Sequence, residues 1–465
     1  MTGFGAGFRW GVATSAYQIE GAVDEDGRGP SIWDTFCAVP GAVAGGDSGA
    51  VACDHYHRWR EDVALLGELG VDAYRFSIAW PRVQPEGRGR FEPRGLAFYR
   101  ELCEGLLERG IEPFPTLYHW DLPQGLEDRG GWRSRDTAYR FAEYASFVHE
   151  ALGDLVTRWT TFNEPYVSSI VGYGEGRHAP GAREGHGALA AAHHLLLAHG
   201  LAVRAMRGGN HEFGIVLNQS PSVPVTESPE DHAAARRHDL LLRRQFTDPL
   251  FAGRYPTDYG EVFGEVDFRE DDDLAVIGTP LDFLGVNYYY RQHVAAAPFR
   301  DPDRTTRTAN DIGIDTTRLP DVPRTAMNWP VEPEGLTEAL VGLKNRYPDL
   351  PPVYVTENGC VYSDRPGFQD DERIAFLDTH LSAARDAVAA GVDLRGYFAW
   401  SFLDNFEWAH GYKPRFGLVH VDYQTQTRTP RASFHWYRER IAVSRGEPWH
   451  PGTTPSPAPG GSPDA

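Results

Sequence analysis

Two glutamates that lie far apart in the chain follow short β-rich runs and carry carboxyl groups that could act together. Glu164 lies in "WTTFNEPYV", residues 159–167, and Glu357 lies in "VYVTENG", residues 353–359. They are 357 − 164 = 193 residues apart, so no local helix or hairpin pairs them. Two carboxyl groups that face each other across a sugar are the apparatus of glycoside hydrolysis. Cleavage of a glycosidic bond is therefore the chemistry that these residues indicate.

A close pair of carboxyl groups would not share one protonation state. At a separation of about 5 Å and an effective dielectric constant of about 20, two carboxylates repel by about 3 kcal/mol. This repulsion predicts that the pKa of one glutamate rises from about 4.3 to between about 6 and 7, so that it stays protonated as an acid. Arg75 is the best-placed cation to keep the other one ionised. Taken singly, either glutamate could instead be a salt-bridge partner or a helix cap.

The composition argues against several other classes of function. Lys and Arg total 45 against 65 Asp and Glu, a net charge of −20, so nucleic acid and anionic membranes are not expected partners. Neither lysine, Lys344 or Lys413, follows a glycine, which excludes a G-K-[ST] phosphate loop. The four cysteines show no C-x-x-C spacing and are expected to be reduced thiols. His55 and His57 fall on different faces of a predicted helix, so neither a metal nor a cofactor is expected.

The two ends of the chain carry predictions about location and domain organisation. The N-terminal "MTGFGAGFRWG" shows no signal peptide, and no run approaches the roughly 18 apolar residues of a membrane span, so we expect a cytoplasmic protein. Residues 446–465 are rich in Pro, Gly and Ser and are predicted to form a disordered tail. Residues 1–445 contain no comparable linker and are predicted to be one domain. The oligomeric state is left open, a homo-oligomer included.

Short β-rich runs alternate with longer helical patterns along the chain. The runs are residues 8–14, 73–80, 111–119, 157–163, 213–219, 282–289, 352–358 and 395–402. Helices are predicted over residues 55–70, 94–109, 136–152, 187–206, 231–245, 333–346, 371–390 and 430–443. Eight such units predict an α/β protein with a single (β/α)₈ TIM barrel. An open doubly wound sheet is the alternative, but the first run lacks the G-x-G-x-x-G turn of a dinucleotide site.

In such a barrel the active site lies at the carboxyl ends of the strands. Polar and aromatic residues follow most of the predicted strands at that end: Gln18, Arg75, His119, Trp120, Glu164, Asn287, Glu357, Trp400, Glu407 and Trp408. The Trp-rich stretch 400–408 could simply pack in the core, which is the commoner role of tryptophan. Because all these residues fall on one predicted rim, an active site is favoured over core packing.

Eight stretches of the chain form a recognisable set: "WGVATSAYQIEGA", "DHYHRWREDV", "YRFSIAWPRVQPEG", "TLYHWDLPQGL", "TFNEP", "GVNYYY", "VYVTENG" and "WSFLDNFEWAHGYKPRFGLVHVDY". Through them the chain resembles glycoside hydrolase family 1, the β-glucosidase family, from about residue 4 to 440. The resemblance implies a retaining mechanism without a cofactor, with Glu164 as acid/base and Glu357 as nucleophile. It implies that Arg75 and Tyr289 hold the ionised nucleophile, and that the substrate is bound by Gln18, His119, Trp120, Asn163, Asn287, Trp400, Glu407, Trp408 and Phe416.

The expected activity is release of terminal β-D-glucose from small β-glucosides and cello-oligosaccharides, through a covalent glycosyl-enzyme. A β-galactosidase or β-fucosidase, an endo-acting glycanase and a catalytically silent sugar-binding protein are the alternatives. Relatives that hydrolyse 6-phosphoglycosides carry serine where this chain has Glu407, whose charge would repel a phosphate, so neutral substrates are expected. The chain departs from the family pattern at Asn328 and Pro330. Residues 296–325 are long, polar and without periodicity, and are predicted to form a loop on the leaving-group side of the site.

Overall fold

The structure, a computed structural model, describes residues 4–5, 7–298 and 311–446. The predicted tail lies outside these ranges, except for Gly446, and so do residues 299–310 of the predicted loop. The eight barrel strands are β1 (Arg9–Ala13), β2 (Ala73–Ser77), β3 (Glu112–Tyr118), β4 (Arg158–Asn163), β5 (Glu212–Asn218), β6 (Phe283–Asn287), β7 (Val353–Asn358) and β8 (Leu394–Trp400).

Each strand pairs in parallel with the next, and β1 pairs with β8, so the sheet closes into a barrel. The predicted TIM barrel is confirmed, and the open sheet is excluded. The main outer helices are α1 (His55–Leu69), α2 (Pro93–Leu107), α3 (Arg135–Leu152), α4 (His186–Met206), α5 (Pro229–Asp239), α6 (Glu334–Arg346), α7 (Asp371–Ala389) and α8 (Ala432–Ser444).

Shorter elements connect the units. They include helices at Ala16–Ile19, Ile32–Cys37, Trp80–Val83, Gln124–Glu127, Gln245–Ala252, Tyr259–Phe263 and Asp273–Ile277, and π-helical turns at Val167–Glu175 and Leu240–Arg244. Ala44–Gly46, Gly131–Arg133 and Trp408–His410 are 3₁₀ turns. Val419–Asp422 and Thr427–Pro430 form a hairpin, and Ser222–Pro224, Gln292–Ala296 and Ile314–Asp315 form a small sheet.

The small sheet changes the prediction for residues 296–325. Ile314–Asp315 pairs antiparallel with Gln292–Ala296, so the described part of this loop contains a strand. A two-residue strand is too short to produce a periodic pattern, so the sequence alone does not reveal it. Ala297, Pro298 and the described residues 311 and 314–317 line the cavity at the carboxyl ends of the barrel strands.

The local sequence explains the helix ends and the filled barrel. In α1, Trp59, Val63 and Leu66 are buried on one face, and Gly70 ends the helix at φ +77° with its N–H bonded to the Leu66 carbonyl. Four aromatic rings from β3, β6, β7 and β8 fill the barrel interior, with neighbouring centroids 5.2–5.8 Å apart, namely Phe114, Phe283, Tyr354 and Phe398. The interior is therefore a packed core, with the site at its carboxyl end.

Candidate active site

A cavity of about 620 Å³ lies at the carboxyl ends of the barrel strands. Its walls include nine of the predicted site residues, namely His119, Trp120, Glu164, Tyr289, Glu357, Trp400, Glu407, Trp408 and Phe416. The other four are buried and hydrogen-bonded to residues of the wall, namely Gln18, Arg75, Asn163 and Asn287. The structure therefore brings all the predicted site residues together in a space of the size used for small ligands.

Glu357, near the end of β7, is held by one donor on β2 and one donor that follows β6. Arg75 on β2 donates from Nη1 to its Oε1 at 2.7 Å, and the Tyr289 hydroxyl donates to its Oε2 at 2.8 Å. Burial, and then the charge of Glu357, hold the pKa of Tyr289 well above its usual range, so the phenol remains a donor. The guanidinium balances the negative charge of a carboxylate that is only 4% exposed. The arrangement orients a carboxylate toward the cavity as a nucleophile requires.

Glu164, which follows β4, is buried beside Glu357. Burial and then the charge of Glu357 raise the pKa of Glu164 to about 8, although hydrogen bonds from Asn287 and Asn218 and the charge of Arg75 lower it. Asn287 donates from Nδ2 to Glu164 Oε1 at 2.8 Å. The pKa is higher than repulsion alone predicts, because loss of solvent is the larger cause. At neutral pH this carboxyl group carries a proton that it can donate.

Asn163 links the two glutamates through their partners. Its Oδ1 accepts from Arg75 at 2.8 Å and from Asn287 at 3.1 Å, so its amide nitrogen is the donor to His119 Nε2 at 3.1 Å. Burial and then the charge of Arg75 hold the pKa of His119 well below its usual range, so this imidazole is neutral. The Trp120 indole donates to the Asn163 carbonyl at 2.9 Å. One asparagine thus fixes side chains from β2, β6 and the end of β3.

Glu407 and three tryptophans, Trp120, Trp400 and Trp408, form another part of the cavity wall. Gln18 Nε2 lies 3.4 Å from Glu407 Oε2, while Gln18 Oε1 accepts from the Ser15 hydroxyl at 2.6 Å. Burial and then the charge of Glu357 raise the pKa of Glu407 to about 8. The Trp408 ring lies 4.5 Å from that of Trp120, centroid to centroid. The wall combines a hydrogen-bonding carboxyl group with aromatic faces, which suits the hydroxyls and C–H faces of a sugar.

The backbone is left-handed at several non-glycine residues of the site. Trp120 has φ +80°, Glu164 has φ +49° and Trp408 has φ +50°. Such conformations cost about 1–3 kcal/mol each and concentrate at functional sites, where the surrounding packing imposes them. Asn328, which departs from the family pattern, has φ +62°, and asparagine tolerates this conformation better than most residues.

A family model described as glycosyl hydrolase family 1 matches residues 1–446. The chain belongs to this family. It is similar to thermostable β-glucosidase B of Thermobispora bispora, with 48% identity over 444 residues that cover 94% of this chain and 90% of that protein. It is also similar to a bifunctional β-D-glucosidase/β-D-fucosidase of Bifidobacterium breve, with 46% identity over 459 residues that cover 94% of this chain and 98% of that protein.

The solved structures agree with this family assignment. The crystal structure of the psychrophilic β-glucosidase of Micrococcus antarcticus matches with a TM-score of 0.90 and 49% identity, over 95% of this chain and 98% of that chain. The chain is thus a glycoside hydrolase of family 1. In the part of the chain that the structure describes, His, Cys, Asp and Glu form no group of three or more that could hold a metal ion. No helix of that part is long and apolar enough to cross a membrane.

Several residues that line the cavity were not indicated by the sequence patterns. They follow β4, β5 and β6 or lie in the loop before α6, and include Tyr166, His178, Asn218, Tyr290 and Trp329. The Tyr290 and Trp329 rings stack with centroids 5.2 Å apart. Apart from Asn218, which ends β5, these residues lie outside the barrel strands, where no periodicity indicates which side chain faces a cavity. The run "NYYY" at residues 287–290 was a signal for Tyr290.

Gly359, which follows β7, allows the end of β8 to lie close to the end of β7, two residues after Glu357. A Cβ at this position would lie 1.7 Å from the backbone oxygen of Trp400. We expect Gly359→Ala to lower the free energy of unfolding by about 2–3 kcal/mol, since backbone must move, and to lower kcat/KM. Urea denaturation and a nitrophenyl glycoside assay measure the two effects.

Gly342→Ala is the matched control for this substitution. Gly342 lies exposed in α6 with no atom within 4 Å of the added Cβ, so alanine should stabilise the helix by about 0.5–1 kcal/mol and leave activity unchanged. Equal effects of the two substitutions would show that the approach of Trp400 to Gly359 has no structural importance.

Proposed function

We propose that this glycoside hydrolase is an exo-acting β-glucosidase that retains the anomeric configuration through a covalent glycosyl-enzyme. The observation that carries the proposal is the pair of carboxyl groups in one cavity: Glu164 with a raised pKa, and Glu357 paired with Arg75. The similarity to proteins named as β-glucosidases supports the choice of glucose. The substrates are small β-glucosides and cello-oligosaccharides.

In the first step Glu357 attacks the anomeric carbon, and the bond to the leaving-group oxygen breaks as Glu164 donates its proton to that oxygen. The product is a glycosyl ester of Glu357, which carries no charge. The repulsion that helps to raise the pKa of Glu164 is then lost, and Glu164 becomes ionised. It removes a proton from water, whose oxygen bonds to the anomeric carbon while the ester bond breaks. Two inversions restore the β configuration.

The remaining site residues bind and orient the sugar. We assign Gln18, His119, Asn163 and Glu407 to the hydroxyls of the sugar, and Trp400 to the floor of the cavity. Trp120, Trp408 and Phe416 supply the other contacts from the wall. Asn287, which donates to Glu164 from behind the wall, completes the substrate-binding set. Arg75 and Tyr289 hold the nucleophile. A wall that pairs hydroxyls discriminates strongly against sugars that lack them. The pKa of Glu407 is raised to about 8, so its charge repels a phosphorylated sugar only as the pH rises through that value. We take the substrates to be neutral because the similar proteins are named as β-glucosidases.

A β-fucosidase activity of the same site is the second candidate. The observation that favours it is the 46% identity to the bifunctional glucosidase/fucosidase. A catalytically silent sugar-binding protein is disfavoured because both carboxyl groups are present and hydrogen-bonded in the cavity. A panel of p-nitrophenyl β-glucoside, β-galactoside and β-fucoside would rank the sugars.

Product analysis tests the proposal directly. Proton NMR of a p-nitrophenyl β-glucoside digest should show β-glucose first, with the α anomer appearing only by mutarotation. Digestion of cellotetraose should release glucose before cellobiose, because an exo-acting enzyme removes one terminal residue at a time. First appearance of α-glucose would contradict retention, cellobiose as the first product would contradict exo action, and binding of the glycoside without nitrophenol release would support the silent protein.

A further inference from the structure

A much smaller cavity, which we call the inner cavity, lies behind the aromatic wall of the active site. It has a volume of about 10 Å³, which is enough for one water molecule, and its lining includes Tyr17, Glu20, Arg28 and Asp121. Tyr17 also stacks on Trp408 of the active site, with ring centroids 6.2 Å apart and an interplanar angle of 11°. The inner cavity is therefore one side chain away from the sugar-binding wall.

Asp121 connects the inner cavity to the active site through the chain itself. It directly follows His119 and Trp120, which line the active-site cavity. It is 1% exposed, and neither of its carboxyl oxygens has a hydrogen-bond partner among the other residues that the structure describes. A buried carboxyl group without a partner costs free energy, so such groups in native proteins are normally bonded to protein or to an ordered water. Asp121 lines the inner cavity, so a water there can be its partner.

The charged neighbours of this carboxyl group are bonded elsewhere. Glu20 accepts from the Tyr99 hydroxyl at 2.7 Å and from Arg82 Nε at 2.9 Å. Arg28 donates from Nη1 to Asp34 Oδ2 at 2.9 Å and to two backbone carbonyls. These bonds do not use the Nη2 group of Arg28, which leaves it as a donor for a water in the inner cavity.

The protonation of Asp121 suits a single water molecule. Burial raises the pKa of Asp121 to about 7; the charge of Arg28 opposes this shift, and the charges of Glu20 and Asp34 add to it. At about pH 6 the carboxyl group is therefore mostly protonated. A protonated carboxyl group donates with one oxygen and accepts with the other, so one water can bond to both oxygens. A third bond from Arg28 gives this water the number of bonds that is typical of buried water.

We propose that the inner cavity binds one ordered water molecule between the Asp121 carboxyl group and the Arg28 guanidinium, and that Asp121 thereby positions Trp120 for the sugar. Trp120 has φ +80°, a conformation that the surrounding structure must impose. Asp121 is then a positioning residue, because it acts through Trp120. A cation fits the inner cavity less well than water does, since Arg28 already supplies positive charge there. The effect on the sugar rests on the proposed function, whereas the water site does not.

A high-resolution crystal structure of the wild-type protein, from crystals grown at about pH 6, tests the water site. One density peak is expected in the inner cavity, about 2.6–3.0 Å from both Asp121 oxygens and from Arg28 Nη2. Absence of a peak, or a direct hydrogen bond between Asp121 and Arg28, would overturn the proposal. Anomalous density in the inner cavity of rubidium-soaked crystals would identify a cation site and would overturn it as well.

Asp121→Leu tests the positioning of Trp120, because leucine has nearly the shape of aspartate but no polar atoms. The inhibition constant of D-glucose and the KM of p-nitrophenyl β-glucoside should both rise about 10-fold, while kcat falls less than about threefold. A sugar contact that is used equally in the ground state and the transition state changes KM rather than kcat. Asp121→Asn, which donates and accepts like the protonated acid, should stay within about threefold of the wild type in all three measurements.

Two outcomes would contradict the positioning role. A lower free energy of unfolding in urea, with unchanged KM and glucose inhibition, would show that Asp121 only stabilises the fold. Equal losses in Asp121→Leu and Asp121→Asn would show that the charge of Asp121, rather than its bonds to water, is required. Asp386→Leu, the same change at an exposed position of α7, is the matched control and should alter none of these values. If Asp121→Leu does not fold, Asp121→Ala takes its place with the same expected rise.

The two proposals can fail separately. Failure of the wild type to hydrolyse any β-glucoside would overturn the proposed function, and the effect on sugar binding with it. Hydrolysis by a wild-type protein whose inner cavity shows no water would overturn only the inference about Asp121.

Discussion

Glu357→Gly is expected to lower kcat on a nitrophenyl β-glucoside by about 10⁵-fold, because the side chain that forms the covalent bond is removed. Added azide should restore turnover and yield the α-glycosyl azide. Azide fits the space left by the carboxylate and attacks from the same face, so the reaction proceeds with one inversion rather than two. Nitrophenol release with and without azide measures the rate, and proton NMR identifies the anomer.

Glu357→Gln provides the control for the azide experiment. Glutamine fills the space of glutamate and can accept the 2.7 Å hydrogen bond from Arg75, but it leaves no space for azide, so little rescue is expected. Formation of the β-glycosyl azide by Glu357→Gly would show that another residue is the nucleophile. Loss of only a few-fold in kcat, once traces of wild type are removed, would contradict the assignment as well.

Glu164→Gln is expected to lower kcat/KM by about 10³-fold on a glucoside with a poor leaving group, such as cyclohexyl β-glucoside, and far less on 2,4-dinitrophenyl β-glucoside. The good leaving group departs without a proton, whereas the alcohol does not. Azide should accelerate turnover of the dinitrophenyl substrate and yield the β-glycosyl azide. It enters the space that the dinitrophenolate has left rather than the space of the side chain, and an anion needs no base to attack the glycosyl ester. Equal losses on both substrates would contradict the role of Glu164 as acid.

The pH dependence supplies a second test of Glu164. The protonated acid is the active form in the first step, so wild-type kcat/KM on cyclohexyl glucoside should fall as the pH rises through about 8, where Glu164 loses its proton. Above that pH the decline should approach tenfold per pH unit. The residual activity of Glu164→Gln should lack this alkaline decline. An unchanged decline in the variant would assign it to another group, for which Glu407 is the candidate because burial raises its pKa to a similar value.

The barrel and the identity of the paired carboxyl groups could be predicted from the sequence, because both depend on patterns within short segments of the chain. Strands that are buried on both faces are apolar runs whatever they pack against, and all residues of β2 and β7 are buried. The helix faces follow from the 3.6-residue repeat. The carboxyl ends of parallel strands lie on one rim, so residues such as Glu164 and Glu357 could be expected there from their positions alone.

The protonation of Glu164, by contrast, was decided by tertiary structure. Charge repulsion could be estimated from the sequence, but the larger cause is burial, which depends on every element that covers the site. The same is true of the Tyr290–Trp329 stack and of the strand at Ile314–Asp315, which both depend on segments without a sequence repeat. Residue type and spacing along the chain are local properties, whereas the exclusion of solvent from a particular atom is a property of the whole fold.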